Sequence, residues 1–583
     1  MNIILTAINA KYIHSNLAVY SLKAYAKEYL DQIVITEYTI NQQTDDILMD
    51  LYKKKPDILC FSCYIWNITY VKSILREIRK LYKDIPIWLG GPEVSYDAKK
   101  VLEELPEVTG VMMGEGEKTF VEVLDYYHGK VASLSNVKGI TYRTENGIQE
   151  NPWREVMDLS EVPFVYQDLE KFKNKIIYYE SSRGCPFSCS YCLSSVDKCL
   201  RFRDLDLVKR ELKFFLDAKI PQVKFVDRTF NCNHQRCIDI FQFILDHDNG
   251  ITNFHFEVAA DLLNEEELNL IEKMRPGCIQ LEIGVQSTNL KTIDEIQRKM
   301  DFHHVASVVK RINAGENVHQ HLDLIAGLPY EDMKSFQCSF DDVYAVEPEQ
   351  LQLGFLKVLK GSYMEEMKDS YGMVFQSQPP YEVLYTKWLS YEDVLLLKGV
   401  EEMVEVYYNS RQFEATIFTL GQEYESKFQL YLELGKFYEE NGYHMIKHTR
   451  ISRYKILLEF IQTFVSEDKY EMYKELLAYD LYLRENLKNR PDFLLPYSVT
   501  KDELHMFYDK ESKEHNYLKD YDEYDRRQLR KMTHLEKFKY NVTKYKNKDN
   551  IDLLEQETYI LFDYQHRNPL NYQAAIYNIL LIL

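Results

Sequence analysis

Three cysteines within one ten-residue run constrain this chain more than any other feature. The run 183-RGCPFSCSYC-192 spaces Cys185, Cys189 and Cys192 as C-x3-C-x2-C, directly after an apolar stretch, KIIYYESS, that reads as a β-strand. The carboxyl ends of strands are where parallel α/β folds place their chemistry. Three thiolates on one tight loop can hold three irons of a cubane cluster, because thiolate is the usual ligand of iron–sulfur clusters. With only three ligands local, a fourth iron is open to a substrate or cofactor. Gly184 and Pro186 suit the sharp turn of such a loop. Structural zinc is the competing metal, but it wants four ligands. The next cysteine, Cys199, stands seven residues on, with no C-x2-C pair beside it. Three buried thiols without a metal is the remaining alternative.

The cysteine loop sits inside a longer pattern. In 583 residues, at roughly 100–200 residues per domain, about three domains are expected. Residues 1–136 alternate apolar runs (NIILTAI, DQIVITEY, DILCFSCY, IPIWLGG, VTGVMMG) with amphipathic helical stretches, which predicts a doubly wound parallel sheet. Residues 137–175 read as a linker with a hairpin signal at Asn146-Gly147. Residues 176–380 repeat the alternation with six strands, which predicts a partial (β/α)6 barrel. Residues 381–583 have apolar positions at helical spacing and one strand at 558–565, and predict a mostly α-helical domain whose many tyrosines pack its core.

The cysteine motif, with Tyr191 before its third cysteine, resembles the signature of the radical S-adenosylmethionine superfamily over roughly residues 176–360. That resemblance implies a 4Fe-4S cluster on Cys185, Cys189 and Cys192, with S-adenosylmethionine chelated at the open iron and cleaved to a 5′-deoxyadenosyl radical. It also implies S-adenosylmethionine contacts for Tyr191, for Asp227 in VKFVDRTFN, and for Glu257, Glu282 and Gln286 late in the next two strands. Gly327 in LIAGLPYED would let backbone approach the adenine. The common Gly-Gly-Glu form near the second strand is absent here, and structural acids in the barrel are the alternative for the carboxylates.

Three strands of the amino-terminal region end in small or polar groups: Ser62, the pair Gly90-Gly91, and 114-GEGE-117. Glycines at strand ends let backbone approach a large flat ligand. Together they resemble the cobalamin-binding domain that precedes many radical barrels. The resemblance implies that Ser62, Gly90 and Gly91 line the nucleotide-tail pocket and that Gly114, Glu115 and Gly116 lie near the corrin edge. The classical Asp-x-His-x-x-Gly is not intact: His14 is in the right loop, but Tyr12 and Leu17 stand in place of Asp and Gly. His14 is therefore a candidate for a cobalt contact or for a capping role. Positions i and i+3 of a strand face opposite ways. Cys60 is expected in the core and Cys63 toward the pocket.

Composition narrows the function. The net charge of −20 argues against a nucleic-acid substrate, and the tract 526-RRQLRK-531 reads as a solvated helix face. The start lacks the order of a secretory leader, and no run reaches the roughly 18 apolar residues of a membrane span. A cytoplasmic protein is expected. Combining the two domains, the resemblance implies a cobalamin-dependent radical enzyme, with methyl transfer to an unactivated carbon as the leading reaction. Rearrangement or oxidation without methyl transfer, transfer-RNA methylthiolation, and a redox or cobalamin sensor are the alternatives. The substrate, small molecule or peptide, is not specified; a flavodoxin or ferredoxin electron donor is implied.

Overall fold

The computed structural model describes residues 1–196, 198–546 and 555–579. The first apolar run forms β1 (Ile3–Asn9), buried along its whole length. It pairs in parallel with β2 (Ile33–Thr39) and β3 (Ile58–Ser62), and β4 (Ile87–Gly90) and β5 (Gly110–Met112) extend the sheet in the order β2-β1-β3-β4-β5. Both faces are apolar because both are covered. Ile4, Leu59 and Leu89 share a core with the helix Ile68–Leu81, while Ile3, Cys60 and Trp88 share another with the helix Glu117–Tyr127. The first of these helices buries Ile68, Val71, Ile74, Leu75 and Ile78. That is one stripe at helical spacing, each such side chain contributing about 1.5–3 kcal/mol.

Part of the expected linker belongs to this sheet. β6 (Ile140–Thr144) and β7 (Gly147–Glu150) form a hairpin at the Asn146-Gly147 step and continue the sheet antiparallel beyond β5. β7 is mostly exposed and polar, so its sequence carries the look of a connector.

The barrel strands follow. β8 (Ile177–Tyr179) leads into β9 (Ser182–Arg183), which pairs antiparallel with β10 (Arg201–Phe202) and ties off the base of the cysteine loop. β11 (Gln222–Phe225), β12 (Asn253–Val258) and β13 (Ile279–Gln286) line up parallel in the order β8-β11-β12-β13. The remaining two expected strands are β14 (His319–Ala326) and β15 (Gln350–Phe355), and a short pair, β16 (Val374–Phe375) and β17 (Val383–Tyr385), comes after.

By chain contacts there are two compact units. The first comprises Met1–Gly315, Gly327–Asp332 and Phe355–Ser390, and holds the strands from β1 to β13. The second comprises Glu316–Ala326, Met333–Gly354 and Tyr391–Leu583. It is built of helices, closed by an antiparallel sheet of β18 (Thr533–Tyr540), β19 (Glu555–Arg567) and β20 (Ala574–Ile579). Its tyrosines fill a core, as expected: Tyr407, Tyr431, Tyr454 and Tyr473 are buried, and the Tyr407 and Tyr438 hydroxyls lie 2.6 Å apart. Among the described residues no helix is long and apolar enough to cross a membrane.

Candidate functional site

The cysteine loop leaves β9 through Gly184. That residue has φ +92°, and an added Cβ would lie 2.6 Å from the Cys199 carbonyl, so only glycine fits the turn. Cys185 and Cys189 are buried and Cys192 is half-buried. Burial raises the Cys185 thiol pKa, and the neighbouring Cys192 and Cys189 thiols add to the rise, so the three sulfurs act on one another. The Cys185 sulfur also lies 3.7 Å from the Thr229 hydroxyl. Among the described residues no group of three His, Cys, Asp or Glu closes around a single metal ion. A cubane needs its thiolates on three different irons, so this donor set fits a cluster better than zinc.

Asp227 braces the approach to the loop. It is fully buried after β11 and accepts hydrogen bonds from the Ser181 amide (2.8 Å), the Ser181 hydroxyl (2.7 Å) and the Ser182 hydroxyl (2.6 Å). Burial pushes its carboxyl up, and the serine donors hold it back. Tyr191 turns its ring inward, where its hydroxyl accepts from Arg298 at 3.3 Å.

A cavity of about 1240 Å³ opens beside the loop. Drug-sized ligands occupy pockets of roughly 300–1,000 Å³, so this one has room for a macrocycle. Ser62, Gly90, Gly91, Gly114, Glu115 and Gly116 form one wall with His14; Gly184, Cys192 and Arg228 belong to another. Gly91 has φ +111°, and an added Cβ would run into the Cys63 carbonyl. His14 Nδ1 is hydrogen-bonded to the Tyr178 hydroxyl at 2.5 Å. Burial and the charges of Lys11 and Lys224 lower its pKa, which favours the neutral ring. Ser62 accepts from Asn16 at 3.3 Å, and Glu115 pairs with Arg201.

Cys60 lies in the core as expected and also lines the cavity, whereas Cys63, expected toward the pocket, is buried in the opposite core. The reason is the two-residue period of β3, which puts Cys60 on the same face as Ser62.

The barrel strands carry polar side chains on their inner face. Glu282 holds Lys224 at 3.0 Å and His255 at 3.1 Å. Burial alone would raise its carboxyl; the His255 and Lys224 nitrogens outweigh that and hold it down at about 2. Glu257, opposite Glu282 in register, lies 3.8 Å from Arg228. Gln286 ends β13 at φ +72°, a backbone conformation that costs a non-glycine residue about 1–3 kcal/mol and clusters at functional sites. Gly327 takes φ +90° beside Val383, away from the cysteine loop in sequence.

Sequence reasoning passed over Arg298, Lys224, His255 and Arg183. Arg298 places its guanidinium 3.7 Å from the Cys189 sulfur and donates to the Gly284 carbonyl. Nothing local marks it, since it is one basic residue in QRKM. Lys224 and His255 were legible as charges alternating with apolar residues in QVKF and NFHFEV.

Comparison with known proteins agrees with this geometry. Residues 3–124 match the B12 binding domain, 179–343 the radical SAM superfamily, and 369–562 a protein family of unknown function, DUF4080. An uncharacterized methyltransferase of Pyrococcus horikoshii is 25% identical over 286 residues, covering 47% of this chain and 61% of its own. The cobalamin-dependent radical SAM methyltransferase TokK of Streptomyces tokunonensis is 23% identical over 303 residues, covering 48% of this chain and 44% of its own. The alignments thus span less than two thirds of these relatives. The solved structure of the cobalamin-dependent S-adenosylmethionine radical enzyme OxsB with aqua-cobalamin superposes with a TM-score of 0.59 at 16% identity, over 82% of this chain and 80% of that one, and shares the fold. The chain thus carries a B12 binding domain, a radical SAM segment after it and a DUF4080 region last.

Proposed function

We propose that this chain is a cytoplasmic, cobalamin-dependent radical S-adenosylmethionine enzyme that transfers a methyl group to an unactivated carbon of a small-molecule or peptide substrate. A flavodoxin or ferredoxin would be its electron donor. One observation carries the reading: a single cavity is walled both by the glycine ends of β4 and β5 and by Cys192 of the cysteine loop. Two cofactors bound there would face the same space.

Cys185, Cys189 and Cys192 would hold the cluster, and the backbone of Gly91, Gly114 and Gly116 on the cavity wall would face the corrin. When bound, the cluster and S-adenosylmethionine supply hydrogen-atom abstraction, and a methylated corrinoid supplies the methyl group. The chain's part is position and exclusion of water. Asp227 fixes the strand end from which the cysteine loop starts. Arg298 sets a half-buried positive charge beside the Cys189 sulfur, where an anionic group of a bound cofactor would be met. Glu282, with Lys224 and His255, keeps a charged, ordered wall inside the barrel.

The test is anaerobic purification with cobalamin supplied, then iron, sulfide and cobalt analysis and a product assay with methyl-labelled S-adenosylmethionine. About four irons and one cobalt per chain are expected. Cys185→Ala is expected to lower deoxyadenosine formation at least about 100-fold, since loss of partners behind the metal ligands alone costs 10–100-fold. Iron without cobalt would overturn the cobalamin reading. Deoxyadenosine without a methylated product would overturn methyl transfer in favour of rearrangement or oxidation.

A further inference from the structure

Five charged side chains meet where the glycine-rich loop after β5 touches the start of the cysteine loop. Arg183 donates to Glu180 at 2.9 and 2.8 Å and to Glu117 at 2.8 and 3.4 Å, and lies 3.4 Å from Glu115. Arg201 pairs with Glu115, whose other oxygen accepts from the Met157 amide at 3.0 Å. None of these side chains is more than 21% exposed, and Glu117 is only 6% exposed. Pairs this far from water are screened little and held in fixed geometry by the planar guanidinium. Breaking one strands a buried charge.

The placement is what matters. Arg183 lies in β9, two residues before Cys185. Glu115 on the loop after β5 and Glu117 at the start of the helix Glu117–Tyr127 flank Gly116 on the cavity wall. The turn into the three thiols is therefore fastened to the corrin-side wall by side chains of that wall.

We propose that Arg183 is a positioning residue that couples the two cofactor sites, so that filling either one orders the loop that holds the other. The inference rests on the proposed function, because it needs both cofactors. Coupling of this kind is reciprocal: each cofactor raises the affinity for the other by the same factor.

The experiment measures hydroxocobalamin affinity by quenching of tryptophan fluorescence, Trp66 and Trp153 both lining the cavity. It compares cluster-free protein with protein reconstituted with iron and sulfide, for wild type, Glu117→Gln and Arg183→Lys. Wild type is expected to bind hydroxocobalamin at least about 5-fold tighter with the cluster than without it, the lower end of ordinary coupling. Glu117→Gln, still folded by circular dichroism and still holding iron, is expected to bring that ratio to near one. Arg183→Lys keeps the charge but not the fork, and is expected to fall between. Should Glu117→Gln fail to fold, Glu115→Gln takes its place with the same expectation. An unchanged ratio in the carboxylate variant, or a wild-type ratio of one with both cofactors bound, overturns the coupling alone. Wild-type protein that binds no hydroxocobalamin overturns the proposed function and this inference with it.

Discussion

The two parallel sheets of the first unit use the same building plan and opposite chemistry. In the amino-terminal sheet, β1, β3, β4 and β5 are apolar on both faces because helices cover both. Its cavity residues therefore gather at the strand ends and in the loops after them, with Leu5, Cys60 and Trp88 reaching the cavity from within the strands. In the barrel sheet one face is apolar and the other carries polar side chains. β13 alternates buried and half-buried residues along its whole length, and Lys224, His255, Glu257 and Glu282 stand on the inner side. Open α/β sheets place their sites beyond the carboxyl ends of the strands, whereas a barrel can also set side chains along its strands toward the lumen.

The contrast can be broken first at a glycine. Gly91→Ala is expected to be the most damaging single-methyl change in the amino-terminal sheet. The site has φ +111° and its Cβ direction ends in the Cys63 carbonyl. Strain and overpacking together predict a loss of roughly 3–5 kcal/mol. Urea unfolding of the cluster-free protein measures it, with hydroxocobalamin titration beside it. A loss under about 1 kcal/mol, or the gain of about 0.4–1 kcal/mol that an unstrained Gly-to-Ala change brings, would mean that backbone shape is not what the glycine supplies.

The same contrast explains what the sequence disclosed. Strand ends announce themselves by residue type, so Gly90, Gly91, Gly114 and Cys185 were readable where they stand. The parallel strands were readable because buried apolar runs such as ILCFS and IWLG are local. What was hidden depends on partners far along the chain. Arg183 is ordinary until Glu117, 66 residues away, is beside it. Arg298 is ordinary until it meets Cys189, 109 residues away. β7 reads as linker because pairing with β6, not burial, holds it in place. The facing of Cys60 and Cys63 required the register of β3, which Ser62 at the cavity supplies.

In the barrel, Glu282→Gln tests whether the lumen charges are structural. The carboxylate is held at about 2, below its ordinary 4.5, by His255 and Lys224 against the opposing effect of burial. A depressed pKa means that the carboxylate's contribution is present above pH 4.5 and is lost as pH falls toward 2. The gap corresponds to about 3 kcal/mol at most, less for the quarter of the side chain that meets water. Wild-type cluster-free protein is expected to lose stability between pH 5 and pH 3 more steeply than Glu282→Gln. Parallel pH curves for the two would show that Lys224 and His255 find other partners.

The smallest effect belongs to a pair that resembles the lumen pair in distance but not in surroundings. Lys80 and Glu77 lie 2.8 Å apart on the outer face of the helix Ile68–Leu81, with side chains 67% and 49% exposed. Glu282 and Lys224 are 3.0 Å apart with side chains only 25% and 27% exposed. In water the Coulomb gain is offset by screening and by the entropy of holding two long side chains, so Lys80→Ala is expected to change stability by less than about 0.5 kcal/mol. Measured in the same urea series, equal losses for Lys80→Ala and Glu282→Gln would show that distance alone sets the strength of these pairs. A loss several times larger in the barrel would assign the difference to the lumen's reduced contact with water.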